Sequence, residues 1–150
     1  MGKVPDSVAA AARDAARRWN IPASVTIAQW ALESAWGRAM PAKSNNPFGI
    51  NAKPGEPFVW AATHEVVHGV RVPTQARFRA FDDLGHAFDA HGELLATAGA
   101  YAPARAVRGD AEAFAHALTG HYATDPAYGD KLVAIMRGSD LARFDAAKPG

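Results

Sequence analysis

Apolar residues recur along this chain with two different periods, and the change of period divides it into parts. Residues 5–19 place Pro5 and Asp6 ahead of an alanine-rich run that Asn20 closes. Proline suits a first helical turn and aspartate its N-terminal dipole, so a helix is expected there. Pro22 opens a second helix, expected to run to about Trp36 and to stop at Gly37, with Val25, Ala28, Leu32 and Ala35 on its core face. Residues 40–57 contain Pro41, Pro47, Pro54, Gly55 and Pro57 and read as loop. Between 58 and 81 the period shortens. Val66, Val70 and Val72, then Ala76, Phe78 and Ala80, predict short strands broken at Gly69 and Pro73, forming a small β-hairpin lobe. Helices return over about 84–97, with Phe88, Leu94 and Leu95, and over about 110–119, with Phe114 and Leu118. A last helix is expected from Asp125-Pro126, carrying Tyr128, Leu132, Ile135 and Met136. The predicted class is α+β, mainly α, in one domain over 1–150, with a core of about 5–140 and a flexible tail over 146–150.

Composition narrows the function only a little. The 150 residues are 49% apolar and 21% charged, enough for a real core and ordinary for a globular domain. Sixteen Lys and Arg against fifteen Asp and Glu give a formal net charge of +1, which argues for neither nucleic acid nor a membrane surface as partner. The absence of cysteine excludes a disulfide framework and thiolate zinc sites. No apolar run has the length of a membrane span, and the first residues lack the apolar stretch of a signal peptide.

Candidate chemistry concentrates in Ala28-Gln29-Trp30-Ala31-Leu32-Glu33-Ser34-Ala35-Trp36-Gly37. On a helix Glu33 shares its face with Gln29, Trp30, Trp36 and Gly37. A solvated glutamate ordinarily has charged neighbours at those positions; this one has two indoles and a glycine. A carboxyl beside large apolar rings loses hydration, which penalises its charged form and raises its pKa. Kept protonated near neutrality, it can give a proton to a leaving oxygen. The competing reading is a surface glutamate near a helix end, with the tryptophans packing the core.

The stretch from Ile21-Pro22-Ala23-Ser24 through the Glu33 segment, followed by Asn45-Asn46-Pro47-Phe48-Gly49-Ile50, resembles the glucosaminidase family of peptidoglycan hydrolases, which includes a flagellar muramidase-like domain and several autolysins. The resemblance continues through Thr63-x-Glu65, Ala76-Arg77-Phe78-Arg79-Ala80-Phe81 and Tyr122-Ala123-Thr124-Asp125-Pro126-x-Tyr128, in family order over roughly residues 20–136. It implies a lysozyme-like helical domain with a small β-hairpin lobe, cleaving β-1,4 bonds of peptidoglycan on the N-acetylglucosamine side. It further implies Glu33 as catalytic acid, Glu65 as a second acidic residue serving as base or stabiliser, and Tyr122 near the cleft. Asn46, Phe48 and Gly49 would shape the floor under the sugar, with Trp30, Trp36 and Thr124 as further substrate-binding positions. Pro47 and Trp30 depart from the pattern, standing where a bulkier apolar residue and a small residue are usual.

In the expected reaction Glu33 protonates the glycosidic oxygen while positive charge builds on the sugar. Glu65 then activates water, or the N-acetyl group of the substrate attacks with Tyr122 orienting it; the sequence leaves both routes open. Within the fold, a muramidase or lytic transglycosylase could use the same acid, and a wall-binding module without catalysis is a rival from another class. His64-Glu65-Val66-Val67-His68 matches the H-E-x-x-H zinc-protease signature, which works only on a helix. Its valines favour strand, where positions 64 and 68 stand about 13 Å apart, too far for one zinc. No metal or organic cofactor is therefore expected. The expected partner is the glycan strand of peptidoglycan, met by a monomer acting at the cell wall or periplasm. With no signal peptide in the chain, it would be exported by another route, be phage-encoded, or have lost its signal.

Overall fold

The computed structural model describes residues 3–146, so the expected flexible tail lies outside the described residues except for Ala146. The elements run α1 (Asp6–Trp19), α2 (Ala23–Ser34), β1 (Phe58–Val67), β2 (Val70–Arg79), α3 (Leu84–Thr97), α4 (Ala102–Arg105), α5 (Ala111–Ala117) and α6 (Tyr128–Gly138). Helices dominate, with one two-stranded antiparallel sheet, which is the α+β class expected. Two short 3-10 segments, Gly99–Tyr101 and Leu141–Phe144, and helix α4 were not expected from the sequence. Gly99 and Pro103 punctuate residues 99–105 as a loop would. There Arg105 closes the end of α3, its guanidinium donating to the carbonyls of Leu95 and Ala98, both at 2.8 Å.

Helix α2 is the axis of the domain. Ten of its twelve residues are buried, against α1, α5, α6 and the segment Leu141–Phe144. Ile27, Trp30, Phe48, Phe88, Leu95, Phe114, Leu118 and Leu132 form the core around it. A helix enclosed on nearly every side loses its polar face, which is why Ser24, Thr26, Gln29 and Ser34 are buried along with the apolar residues.

The exit of α2 differs from expectation. The helix stops at Ser34, not Trp36, because Ala35, Trp36 and Gly37 all adopt positive φ (49°, 60° and 84°). The Ser34 hydroxyl stitches the end, donating to the Trp30 carbonyl and accepting from the Gly37 amide at 2.9 Å. The turn folds Trp36 back onto Trp30 edge-to-face, ring centroids 5.8 Å apart. Gly37 fits closely: a Cβ there would stand 3.1 Å from Cζ2 of Trp30.

The hairpin is longer and more regular than expected. Its ten-residue strands pair from Phe58↔Arg79 to Val67↔Val70 across the two-residue turn His68-Gly69. Both turn residues have positive φ, as a type I′ hairpin turn needs. Pro73 does not break β2; it pairs with His64 beyond the part of β2 that Asn51 bridges at Phe78, on an edge where a missing N–H goes unnoticed. The base of the hairpin is tied to the loop after α2 by Asn46. Its amide donates to the carbonyls of Ile50 (2.8 Å) and Arg79 (3.0 Å), and its oxygen accepts from the amides of Phe48 and Ile50 (3.2 Å each). Helix α6 starts at Tyr128, three residues after Asp125, whose carboxylate accepts the Ala127 amide in a preceding turn.

The exit of α2 yields a stability prediction. Gly37→Ala forces a side chain into left-handed backbone and against Trp30, and is expected to cost about 1–2 kcal/mol. That appears as a fall of roughly 2–8 °C in the thermal midpoint, with helix content by circular dichroism unchanged.

Candidate active site

Glu33 sits in the last turn of α2, at the negative end of the helix dipole, which disfavours a carboxylate. As a residue it is exposed, yet its carboxyl leans on the body of the domain: the Tyr128 hydroxyl donates to Oε1 at 3.1 Å. Among the described residues nothing hydrogen-bonds Oε2. Desolvation raises the pKa of Glu33 above its ordinary 4.5, and the hydrogen bond from Tyr128, which favours the ionised form, only partly offsets this. The direction is the one expected from the indoles flanking Glu33 in the sequence. In the structure Trp30 is buried in the core and Trp36 is turned back onto it, while the ring whose polar group meets Glu33 is a tyrosine.

Behind Tyr128 the polar contacts continue inward. The Gln29 amide donates to the Tyr128 hydroxyl at 3.0 Å, and the Gln29 carbonyl meets Nε2 of His91 at 2.8 Å. Gln29 and His91 are completely buried. The imidazole is stacked on Phe48, centroids 4.1 Å apart, and burial pushes its pKa down to about 3, so it is neutral at any working pH. Tyr122 lies parallel to Tyr128 with centroids 6.0 Å apart, and its hydroxyl donates to the Phe48 carbonyl at 3.0 Å. Tyr101 completes the cluster, 6.0 Å from Tyr122. Burial is the main cause that pushes the phenols of Tyr122 and Tyr128 well up, so both stay protonated donors.

The other expected site residues separate into two groups. Trp30, Asn46 and Phe48 are buried, so their side chains support the site from beneath instead of facing a ligand. Gly49, with φ 69°, and Thr124 are exposed, and Trp36 is half-buried. Glu65 is exposed on β1, three residues before His68 of the turn, on the hairpin face that also carries Val59, Ala61 and Thr63. It lies about 23 Å along the strand from Phe58. Among the described residues it makes no hydrogen bond or ion pair. His64 stands on the strand, near Arg71, and His68 in the turn, so the helical chelate of a zinc protease is not formed. Two concavities, of about 550 Å³ beside Arg13, Ile21 and Phe144 and about 580 Å³ beside Lys53, Arg79 and Glu93, do not include Glu33, which is itself exposed.

The residues that sequence reasoning missed are Tyr128, Gln29 as a polar partner, and His91. One signal was available: a glutamine four residues before Glu33, on a helix with no charged residue but Glu33, needs a partner if it is buried.

The sequence pattern of the Glucosaminidase family, described as "Mannosyl-glycoprotein endo-beta-N-acetylglucosaminidase", matches residues 9–141. The chain belongs to the glucosaminidase family. A relative named exo-glucosaminidase LytG, from Bacillus subtilis (strain 168), is 33% identical over 150 residues, covering 96% of this chain and 53% of the relative. A probable N-acetylmuramidase of Lactococcus lactis subsp. lactis (strain IL1403) is 36% identical over 151 residues, covering 95% of this chain and 34% of the relative. The chain thus spans about half and about a third of these curated relatives. The crystal structure of a peptidoglycan hydrolase mutant from Sphingomonas sp. A1 is similar with a TM-score of 0.80 at 36% identity, covering 93% of this chain and 94% of that one. The fold is thus shared with this peptidoglycan hydrolase.

The raised pKa of Glu33 has a consequence for stability. A carboxyl whose folded pKa lies above its unfolded value contributes stability fully below the unfolded value, and loses it as pH rises through the folded one. Glu33→Gln is therefore expected to melt higher than wild type at pH 7, the difference vanishing below about pH 4. Thermal midpoints measured across pH check this. In a carbon-13 titration the Glu33 carboxyl of Tyr128→Phe is expected to titrate above that of wild type, since a hydrogen bond to the ionised form is gone.

Proposed function

We propose that this domain is a peptidoglycan hydrolase that cleaves the β-1,4 bond on the N-acetylglucosamine side, as an endo-β-N-acetylglucosaminidase with Glu33 as general acid. The observation that carries this reading is a desolvated carboxyl at an open surface, held at one oxygen by Tyr128, in a chain of the glucosaminidase family. Glu33 gives its proton to the glycosidic oxygen as the bond to the anomeric carbon breaks and positive charge spreads over the ring. The domain works on glycan strands as a monomer at the cell wall, and residues 1–150 serve as one catalytic unit.

For the second half of the reaction, the unpartnered state of Glu65 supports attack by the N-acetyl group of the substrate. Its carbonyl oxygen bonds to the anomeric carbon, and water later opens the ring so formed. A water-activating base would call for roughly 6.5–9.5 Å between the two carboxyls, and no contact of Glu65 holds it at a set distance from Glu33. Tyr122, with its hydroxyl committed to the Phe48 carbonyl, serves as a wall of the site.

A muramidase is the second reading, favoured by the name of the Lactococcus lactis relative. Mass spectrometry of products from purified sacculi separates the two. Reducing N-acetylglucosamine ends are expected; reducing muramic ends would establish the muramidase, and anhydromuramic ends a transglycosylase. Glu33→Gln is expected to lower the rate at least about 100-fold with the fold intact, and Glu65→Gln to lower it much less. Full activity of Glu33→Gln would refute the assignment of the acid.

A further inference from the structure

The chain His91–Gln29–Tyr128–Glu33 joins α3, α2 and α6 in a single file of hydrogen bonds of 2.8, 3.0 and 3.1 Å. Such a file has two self-consistent directions. In one, every proton points outward: His91 Nε2–H to the Gln29 carbonyl, the Gln29 amide to the Tyr128 oxygen, and the Tyr128 hydroxyl to Glu33 Oε1. In the other, every link is reversed. The Gln29 amide is turned over, Tyr128 donates to Gln29, and a protonated Glu33 spends its proton on Tyr128 through Oε1. Only the outward direction leaves that proton on Oε2, the oxygen open to a leaving group.

The choice is made at the far end of the file. Nδ1 of His91 is buried and has no hydrogen-bond partner. The outward direction puts the imidazole proton on Nε2, where Gln29 accepts it, and leaves Nδ1 as a bare lone pair. The reversed direction needs the proton on Nδ1, an orphaned buried N–H, which folded proteins almost never tolerate. We propose that His91 and Gln29 are positioning residues that, by polarising this file outward, hold the acid proton of Glu33 on Oε2. Neither side chain touches substrate; both act through Tyr128. The inference rests on the reading of Glu33 as general acid, but its first test is independent of activity.

That test uses the intact wild-type domain. Nitrogen-15 shifts of the His91 imidazole report its tautomer directly, and the proton is expected on Nε2. A proton on Nδ1, or rapid exchange between the two, would overturn the proposal. The second test is kinetic, with His91→Phe, which keeps the stacking on Phe48, and Gln29→Met, which keeps the volume. Among the described residues the titratable groups that interact with Glu33 are Tyr128 of α6 and Tyr122 of the preceding loop, with Tyr101 packed against Tyr122, all phenols that stay protonated. The basic limb of the pH profile therefore belongs to Glu33. In both variants the plateau kcat is expected to fall roughly tenfold with KM little changed, since the proton is no longer confined to one oxygen. The basic limb is expected to move up by about one pH unit as the donated hydrogen bond weakens. A purely structural role predicts a lower thermal midpoint with plateau and limb unmoved, and that result would refute the proposal. Loss of activity in Glu33→Gln with the imidazole proton on Nε2 supports both readings. Activity retained in that variant removes the acid and leaves the tautomer result standing as geometry alone.

Discussion

The amide of Gln29 is the constraint on which the rest of the site depends. A primary amide fully enclosed in a helical core must satisfy donors and an acceptor without water, and an unmade bond there costs on the order of 1–3 kcal/mol. Its two ends are met from opposite sides by His91 of α3 and Tyr128 of α6. One side chain of α2 thereby sets how two other helices stand against it. Because Tyr128 then has a single acceptor left to serve, its hydroxyl fixes one oxygen of Glu33. Position of the proposed acid is thus inherited from the core and needs no support from surface side chains.

The strained exit of α2 belongs to the same design. Two non-glycine residues in left-handed backbone, Ala35 and Trp36, carry a cost that the surrounding structure must offset. The return is that the helix ends one residue beyond Glu33, leaving the carboxyl in the final turn at the negative end of the helix dipole. Had the helix run on to Trp36, Glu33 would lie two residues, about half a turn, farther from the negative pole. The Trp30–Trp36 contact is therefore read best as the lock on this turn. It holds the backbone that directly follows Glu33.

Much of the fold was legible because it rests on local signals. Pro22, the alternation around Val72 and Phe78, and the break at Gly69 each act within a few residues. The exit of α2 was not, because three successive positive φ values arise from packing against Trp30 and Ser34, and glycine marks only the last of them. At the site, Glu33 stood out through its unusual neighbours, but its actual hydrogen-bond partner is 95 residues away. Gln29 was visible on the right face and could be read as polar without revealing that His91, 62 residues on, completes it. Tyr128 followed a helical spacing that equally suits a core aromatic, which in body it is: the ring is buried and only its hydroxyl does the site's work.

The two candidate carboxylates differ in how they are held, and that difference bears on how a wall polymer could be handled. Glu33 is reached by hydrogen bonds through three buried side chains, so thermal motion of the surface moves it little. Glu65 stands near the end of a two-stranded ribbon that packs on itself and on the loop at its base, with Val66, Val70 and Val72 exposed around it. A two-stranded ribbon without a covering layer has little rigidity of its own. Proton donation tolerates only small errors in position, because its rate depends on hydrogen-bond distance and alignment. A carboxylate that only balances developing charge acts over several ångströms and tolerates more. The rigid element therefore suits the acid and the compliant one suits an electrostatic role for Glu65, which accords with a nucleophile supplied by the substrate itself.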